Sequence, residues 1–153
     1  MATHRPVVLI AGKLSLLPAG DTLAAKVQEV DVVEMQAKEG IGAAGMAVYC
    51  NAGFQVMKAK ADDDTKANVL GLALSSAVLD AYVQVQTDGV LELADWTESA
   101  GSAALVVGTD YYLDTTAGVL TGNIPGAGNL VFVGRAISPQ RLEISIQRPI
   151  KLN

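Results

Sequence analysis

VLGLALSSAVLDAYVQ, residues 69–84, aligns with FVGRAISPQRLEISIQ, residues 132–147. Gly71 falls on Gly134, Ala73 on Ala136, Ser75 on Ser138, Leu79 on Leu142 and Gln84 on Gln147. Leu74/Ile137, Asp80/Glu143 and Val83/Ile146 are like for like. The same offset of 63 residues sets Gly45 on Gly108 and Tyr49 on Tyr112. After each tyrosine the turn differs by two residues, which matches Gly53 with Gly118. Each half then reads G-x-x-x-Y, turn, strand, acidic or Gly-rich loop, G-x-A-x-S, and a strand ending in Gln. The loops at the same place are KADDDTKAN (60–68) and TGNIPGAGN (121–129). Repetition of this kind marks a duplicated structural unit. One set of strands cannot bury its face alone, but two copies packed together can. The expected fold is therefore mainly β, a compact barrel or sandwich from a duplicated β unit, with repeat halves about 45–86 and 108–149.

Composition agrees. Half of the 153 residues are hydrophobic, mostly Ala, Val, Leu and Ile, whereas charged residues make up 18% and glycines number 15. Short strands and tight turns suit such a chain better than a charged helical bundle. Met46–Cys50 and Phe54–Ala59 flank the hairpin signal Asn51-Ala52-Gly53. Val69–Leu74, Ala81–Gln86 and Val90–Leu93 are further strands, the last two separated by Thr87-Asp88-Gly89. In Ala81–Gln86, alternation places Tyr82, Gln84 and Gln86 on one face and Ala81, Val83 and Val85 on the buried one.

The first forty residues differ, and the chain divides into an N-terminal arm, 1–40, and a β body, 41–153. Val7–Ile10 reads as a short strand. Leu14–Leu17 runs into the turn signal Pro18-Ala19-Gly20-Asp21. Ala24–Lys38 holds good helix formers with Gly40 as a stop, yet keeps neither a helical stripe nor a strand alternation. It reads as an irregular or helical piece. The apolar run Pro6–Gly12, cut by Lys13, is too short for a secretory leader, and no stretch reaches the ~20 apolar residues of a membrane span.

Catalytic and metal chemistry is sparse. The net charge is −5 and the 11 Lys and Arg residues are scattered, which argues against nucleic-acid binding. A single cysteine, Cys50, reads as a small buried hydrophobe at a strand end. His4, the only histidine, stands near the chain start, so neither a Ser-His-Asp machine nor a His/Cys zinc site can be assembled. Asp110 and Asp114 in VGTDYYLDTTAGVLTG (107–122) read as hairpin residues. Asp114 sits where Asn51 sits, a turn position, and no closing acid follows to complete a calcium loop. Asp62, Asp63 and Asp64 form the one acidic run, a solvated loop tip before an ion site. Glu92, Asp95 and Glu98 match no catalytic template. Gly122, Gly126 and Gly128 precede no helix, so a dinucleotide loop fails. Trp96 is read as packing over the sheet edge or anchoring a partner. No enzyme activity and no cofactor is expected.

RPVVLIAGKLSLLPAGDTL (5–23) resembles the opening of many tailed-bacteriophage virion proteins, with an apolar strand, a turn and L-P-A-G-D. Residues 105–152 resemble the β module that ends such proteins. Its hallmarks are G-x-x-Y-Y-L-D at Gly108–Asp114, G-x-L-T at Gly118–Thr121, V-G-x-A-x-S at Val133–Ser138 and I-Q-x-P-I at Ile146–Ile150. The resemblance implies a capsid decoration (cement) protein. Such a protein sits on the outer surface of the virion head, commonly as a homotrimer, and bridges major capsid protein subunits after synthesis in the host cytoplasm. The alternative is a head or tail fibre or baseplate adaptor used in host attachment; a small glycan hydrolase is a distant third. Under the first reading Val7, Val8, Leu9, Ile10 and Leu14 contact the shell as an added strand, or else pair within the protein's own sheet. Asp62, Asp63, Asp64, Trp96, Ile124 and Pro125 make oligomer or loop contacts.

Overall fold

The computed structural model describes residues 31–153 in full, together with the backbone of two strands near the N-terminus, β1 (Val7–Ile10) and β2 (Lys13–Leu16). The fold is mainly β, as the repeat requires. β3 (Val32–Ala37), β4 (Ala47–Cys50), β5 (Gln55–Lys58), β6 (Val69–Ala73) and β7 (Tyr82–Gln86) close into a barrel in the order β3-β5-β4-β6-β7. Then come β8 (Gly89–Glu92), a short helix α1 (Thr97–Ala100), β9 (Asp110–Leu113), β10 (Leu120–Thr121), β11 (Gly128–Leu130), β12 (Phe132–Ala136), β13 (Arg141–Ile144) and β14 (Ile150–Leu152). Five of these make an open sheet, β10-β9-β12-β13-β8, and β11 pairs with β14.

The two halves match bond for bond in their centres. In the barrel Ala47 faces Leu72, Val48 faces Gly71 and Tyr49 faces Val69, so Leu70 is bulged out. In the open sheet Asp110 faces Arg135, Tyr111 faces Gly134 and Tyr112 faces Phe132, so Val133 is bulged out at the corresponding place. Gly45 and Gly108 both take positive φ, +83° and +81°. Their amides donate to Ala73 O at 2.7 Å and Ala136 O at 2.8 Å. The return bonds run from Ala73 N to Met46 O and from Ala136 N to Thr109 O.

The repeat is nonetheless larger than the sequence shows, and its register shifts twice. Val33 of β3 faces Val85, just as Leu91 of β8 faces Leu142, so β3 and β8 are the first strands of the two copies. Val32–Ala37, expected in the arm as an irregular or helical piece, is a barrel strand. It bonds antiparallel to β7 and parallel to β5. After the tyrosines Cys50 faces Val56 and Leu113 faces Leu120, so the turn differs by one residue rather than two. Phe54, not Gly53, then answers to Gly118. After β6 the loop 74–81 is longer than its counterpart 137–140. Ala73 faces Val85 where Ala136 faces Leu142, so Val85 rather than Leu79 corresponds to Leu142. Burial agrees: Leu142 is fully buried and Leu79 is 57% exposed.

Alternation fills two cores. Val48, Val56, Val83 and Val85 point into the barrel with Ala37, Ile41 and Ala73. Ala47, Tyr49 and Leu72 point out of it, against Tyr111, Leu113, Val133, Leu142 and Ile144 of the open sheet. The second copy therefore lays its inner face on the outer face of the first instead of closing on itself. That is why Gln86, expected on a solvated face, is buried, its amide donating to Asp88 O at 3.0 Å.

Candidate functional site

β1 and β2 form a hairpin in full register, Val7 opposite Leu16 and Leu9 opposite Leu14, as a separate two-stranded sheet. The segment expected to act as a single added strand thus already has a partner on one edge. The side-chain contacts expected of Val7, Val8, Leu9, Ile10 and Leu14 lie outside the described residues, as does His4.

The two loops of the repeat are tied to each other within one chain. Buried Asn129 donates from its side chain to Ala61 O and to Asp64 Oδ1, each at 3.0 Å, while its own amide donates to Ala61 O at 2.8 Å. Gly128 has φ +84°, and a Cβ there would stand 2.8 Å from Ala61 O, so only glycine lets β11 approach the 60–68 loop. Asp64 Oδ2 also takes the Lys151 ammonium of β14. These bonds hold the Asp64 carboxyl below the usual carboxylate range, the Lys151 hydrogen bond being the largest cause. Asp63 Oδ1 accepts from the amides of Thr65 and Lys66, and Asp62 pairs with Lys60 at 3.2 Å. The three carboxylates thus turn to separate partners. Among the described residues no group of three His, Cys, Asp or Glu is placed to hold a metal ion. Ile124 is exposed at the loop tip with Pro125 half-buried beside it.

The depressed pKa gives a test. A carboxyl whose folded pKa is lowered stabilises the fold above its unfolded pKa and loses that contribution as pH falls through the folded one. Asp64→Asn is expected to lower the urea midpoint at pH 7, and the difference from wild type is expected to shrink as pH falls below the ordinary carboxylate range and the Asp64 carboxyl takes up its proton. A difference independent of pH would break the link to ionisation.

Trp96 cannot serve as a surface anchor. It is fully buried, with its indole N–H donating to Gln140 O at 3.0 Å. Asp95, next to it, accepts from the Thr97 hydroxyl and amide; those bonds lower its pKa and start α1. Cys50, read as a buried hydrophobe, is exposed: it faces Val56 at the end of β4, where the strand runs past the barrel core. Asp110 pairs with Arg135 at 3.6 Å across β9 and β12, and Asp114 ends its strand at the hairpin turn, its amide bonded to Val119 O. The two aspartates serve different elements and make no carboxylate pair.

Sequence reasoning missed an apolar outcrop. Phe54 is 82% exposed at φ +59°, and Asp80 at φ +67° is the other non-glycine residue with positive φ among those described. Gln36 links their neighbourhoods: it donates to Asp80 O and accepts from the side-chain amide of Gln55, next to Phe54, each at 3.0 Å. Val78, Leu79 and Tyr82 are exposed around the same point, Tyr82 directly opposite Gln36. Aligning the halves one residue differently would have found Phe54, since it fills a turn position that Gly118 fills in the second copy.

The outer face of the open sheet carries a groove of about 540 Å³. Its floor is the Tyr112–Phe132 pair, ring centroids 6.0 Å apart and edge to face, beside the cross-strand row Asp110, Arg135 and Glu143. Leu130, Ile150 and the segment 145–148 form its sides.

No model of a known protein family matches the chain, and no characterised protein matches it in sequence.

Proposed function

We propose that this chain is a decoration, or cement, protein of a tailed-bacteriophage head. It binds the outer surface of the mature shell and bridges neighbouring major capsid protein subunits as a homotrimer. The reading rests on the virion-protein resemblance of both chain ends, and the observation that carries it is the apolar outcrop on the barrel. Phe54, Val78, Leu79 and Tyr82 stand in solvent, Phe54 itself and Asp80 hold left-handed backbone, and such conformations cluster at functional sites. The hairpin β1–β2, a two-stranded sheet of its own among the described residues, adds a second contact element. Each contact can be modest, because many simultaneous contacts raise the effective affinity and a ligand of the intact shell stabilises it by mass action.

Copy number tests the reading. Quantitative mass spectrometry of purified virions is expected to give a ratio near one to one with the major capsid protein. A few copies per particle would overturn it in favour of a fibre or baseplate adaptor. Val8→Asp or Ile10→Asp is expected to abolish decoration of shells lacking the protein while leaving the unfolding of the body unchanged; full decoration by either variant would remove the hairpin from the mechanism. Phe54→Gly is expected to raise stability by roughly 0.5–1 kcal/mol, by relieving left-handed strain, and to weaken shell binding. A stable variant that binds as well as wild type would clear the outcrop of a role.

A further inference from the structure

We propose that the groove on the second copy is a binding site for a neutral oligosaccharide. The comparison between copies motivates it. In the first copy the corresponding positions are Ala47, Leu72 and Gln86 in one row and Tyr49 and Val69 in the next, and that face is covered by the second copy. In the second copy nothing within the described residues covers it, and the row reads Asp110, Arg135, Glu143. Had this face simply become solvent-exposed, large aromatics would not be expected to remain at its centre. Tyr112 is kept, and Phe132 replaces the smaller Val69.

The chemistry is that of a sugar site. The apolar C–H faces of pyranose rings pack against aromatic surface, and their hydroxyls each donate and accept. In one row Asp110 and Glu143 supply acceptors and Arg135 between them supplies donors, and the Gln147 amide and Ser145 hydroxyl supply both. Asp110 and Glu143 balance Arg135 and Arg148, so the lining carries no net charge and favours a neutral ligand over an anionic one. The volume lies within the range of small-ligand clefts. The proposal does not depend on the capsid reading.

The test is an NMR titration of the ¹⁵N-labelled full chain with maltotriose, cellotriose and chitotriose, and with trigalacturonate as the anionic comparison. Saturable shifts are expected with at least one neutral trisaccharide, confined to the amides of residues 110–112, 132–135 and 143–148. Arg135→Ala and Glu143→Ala, both at exposed positions, are expected to weaken that binding about tenfold with the amide spectrum otherwise retained. Three results would each overturn the proposal: no saturable shift with any neutral probe, shifts centred elsewhere, or tighter binding of trigalacturonate. Unchanged affinity in both variants would do the same.

Discussion

Trp96→Ala is expected to lower the free energy of unfolding by about 3–5 kcal/mol. The indole is the largest fully buried side chain and stands in the core shared by both copies. Its removal leaves a cavity between the segment that follows β8 and the turn that precedes β13. It also leaves Gln140 O without its partner. For a domain of this size that corresponds to a fall of roughly 10 °C or more in melting temperature. Trp96→Phe separates the two contributions: it keeps most of the apolar volume and loses the hydrogen bond, and is expected to cost less than half as much. Thermal unfolding followed by far-ultraviolet circular dichroism measures both variants. If Trp96→Ala melted within about 3 °C of wild type, the packing described for this residue would be wrong.

Trp96 also marks where the sequence stops being readable. A single tryptophan in a loop has the same local signature whether it packs inward or waits for a partner, and only the chain that folds over it decides. The repeat is legible because the residues that define it perform local backbone tasks. Gly45 and Gly108 take positive φ, and Gly71 and Gly134 allow close strand approach, so each recurs as glycine. What closes the barrel is not legible. The parallel contact of β3 with β5 rests on two facing pairs, Gln36 with Gln55 and Ala37 with Val56, and leaves no periodic trace. Leu79 aligns with Leu142 because leucine resembles leucine, whereas the extra loop residues move it into solvent. Cys50 departs from expectation because it ends its strand past the barrel core, and Gln86 for a different reason. Strand alternation predicts two faces, but whether the second face meets water or the other copy is a tertiary fact. The candidate surfaces divide the same way. Ile124 is exposed as a contact residue must be, the acidic loop is bound up with Asn129 and Lys151, and the Phe54 outcrop emerges only once the register is known.

Gly71→Ala and Gly134→Ala are expected to damage the fold as severely as loss of the tryptophan, and for a reason shared by both copies. The bulge at Leu70 and at Val133 drives each following glycine against the backbone of the next strand. A Cβ on Gly71 would stand 2.3 Å from Gln86 O and 2.7 Å from Val85 Cγ1; one on Gly134 would stand 2.3 Å from Glu143 O. A side-chain tip could swing away from such a contact, but a carbonyl held in a strand ladder cannot. Each substitution must therefore either separate a pair of hydrogen-bonded strands or undo the bulge. Undoing it would slip every residue beyond to the opposite face of its sheet. A cost of about 3 kcal/mol is expected for each. Gly40→Ala is the control. A methyl group on Gly40 would meet nothing within 4 Å, and the residue has no positive φ, so its substitution is expected to change stability by less than about 0.5 kcal/mol. Urea unfolding followed by two probes, tryptophan fluorescence for the second copy and resolved backbone amide signals of β3–β7 for the first, adds a further distinction. Tyr49, Ala47 and Leu72 of the first copy share one core with Tyr111, Val133 and Leu142 of the second. Damage at either glycine should then shift both probes together, in one transition. A variant in which Gly71→Ala moves only the barrel signal would mean that the copies fold independently and that the face between them is an interface rather than a core.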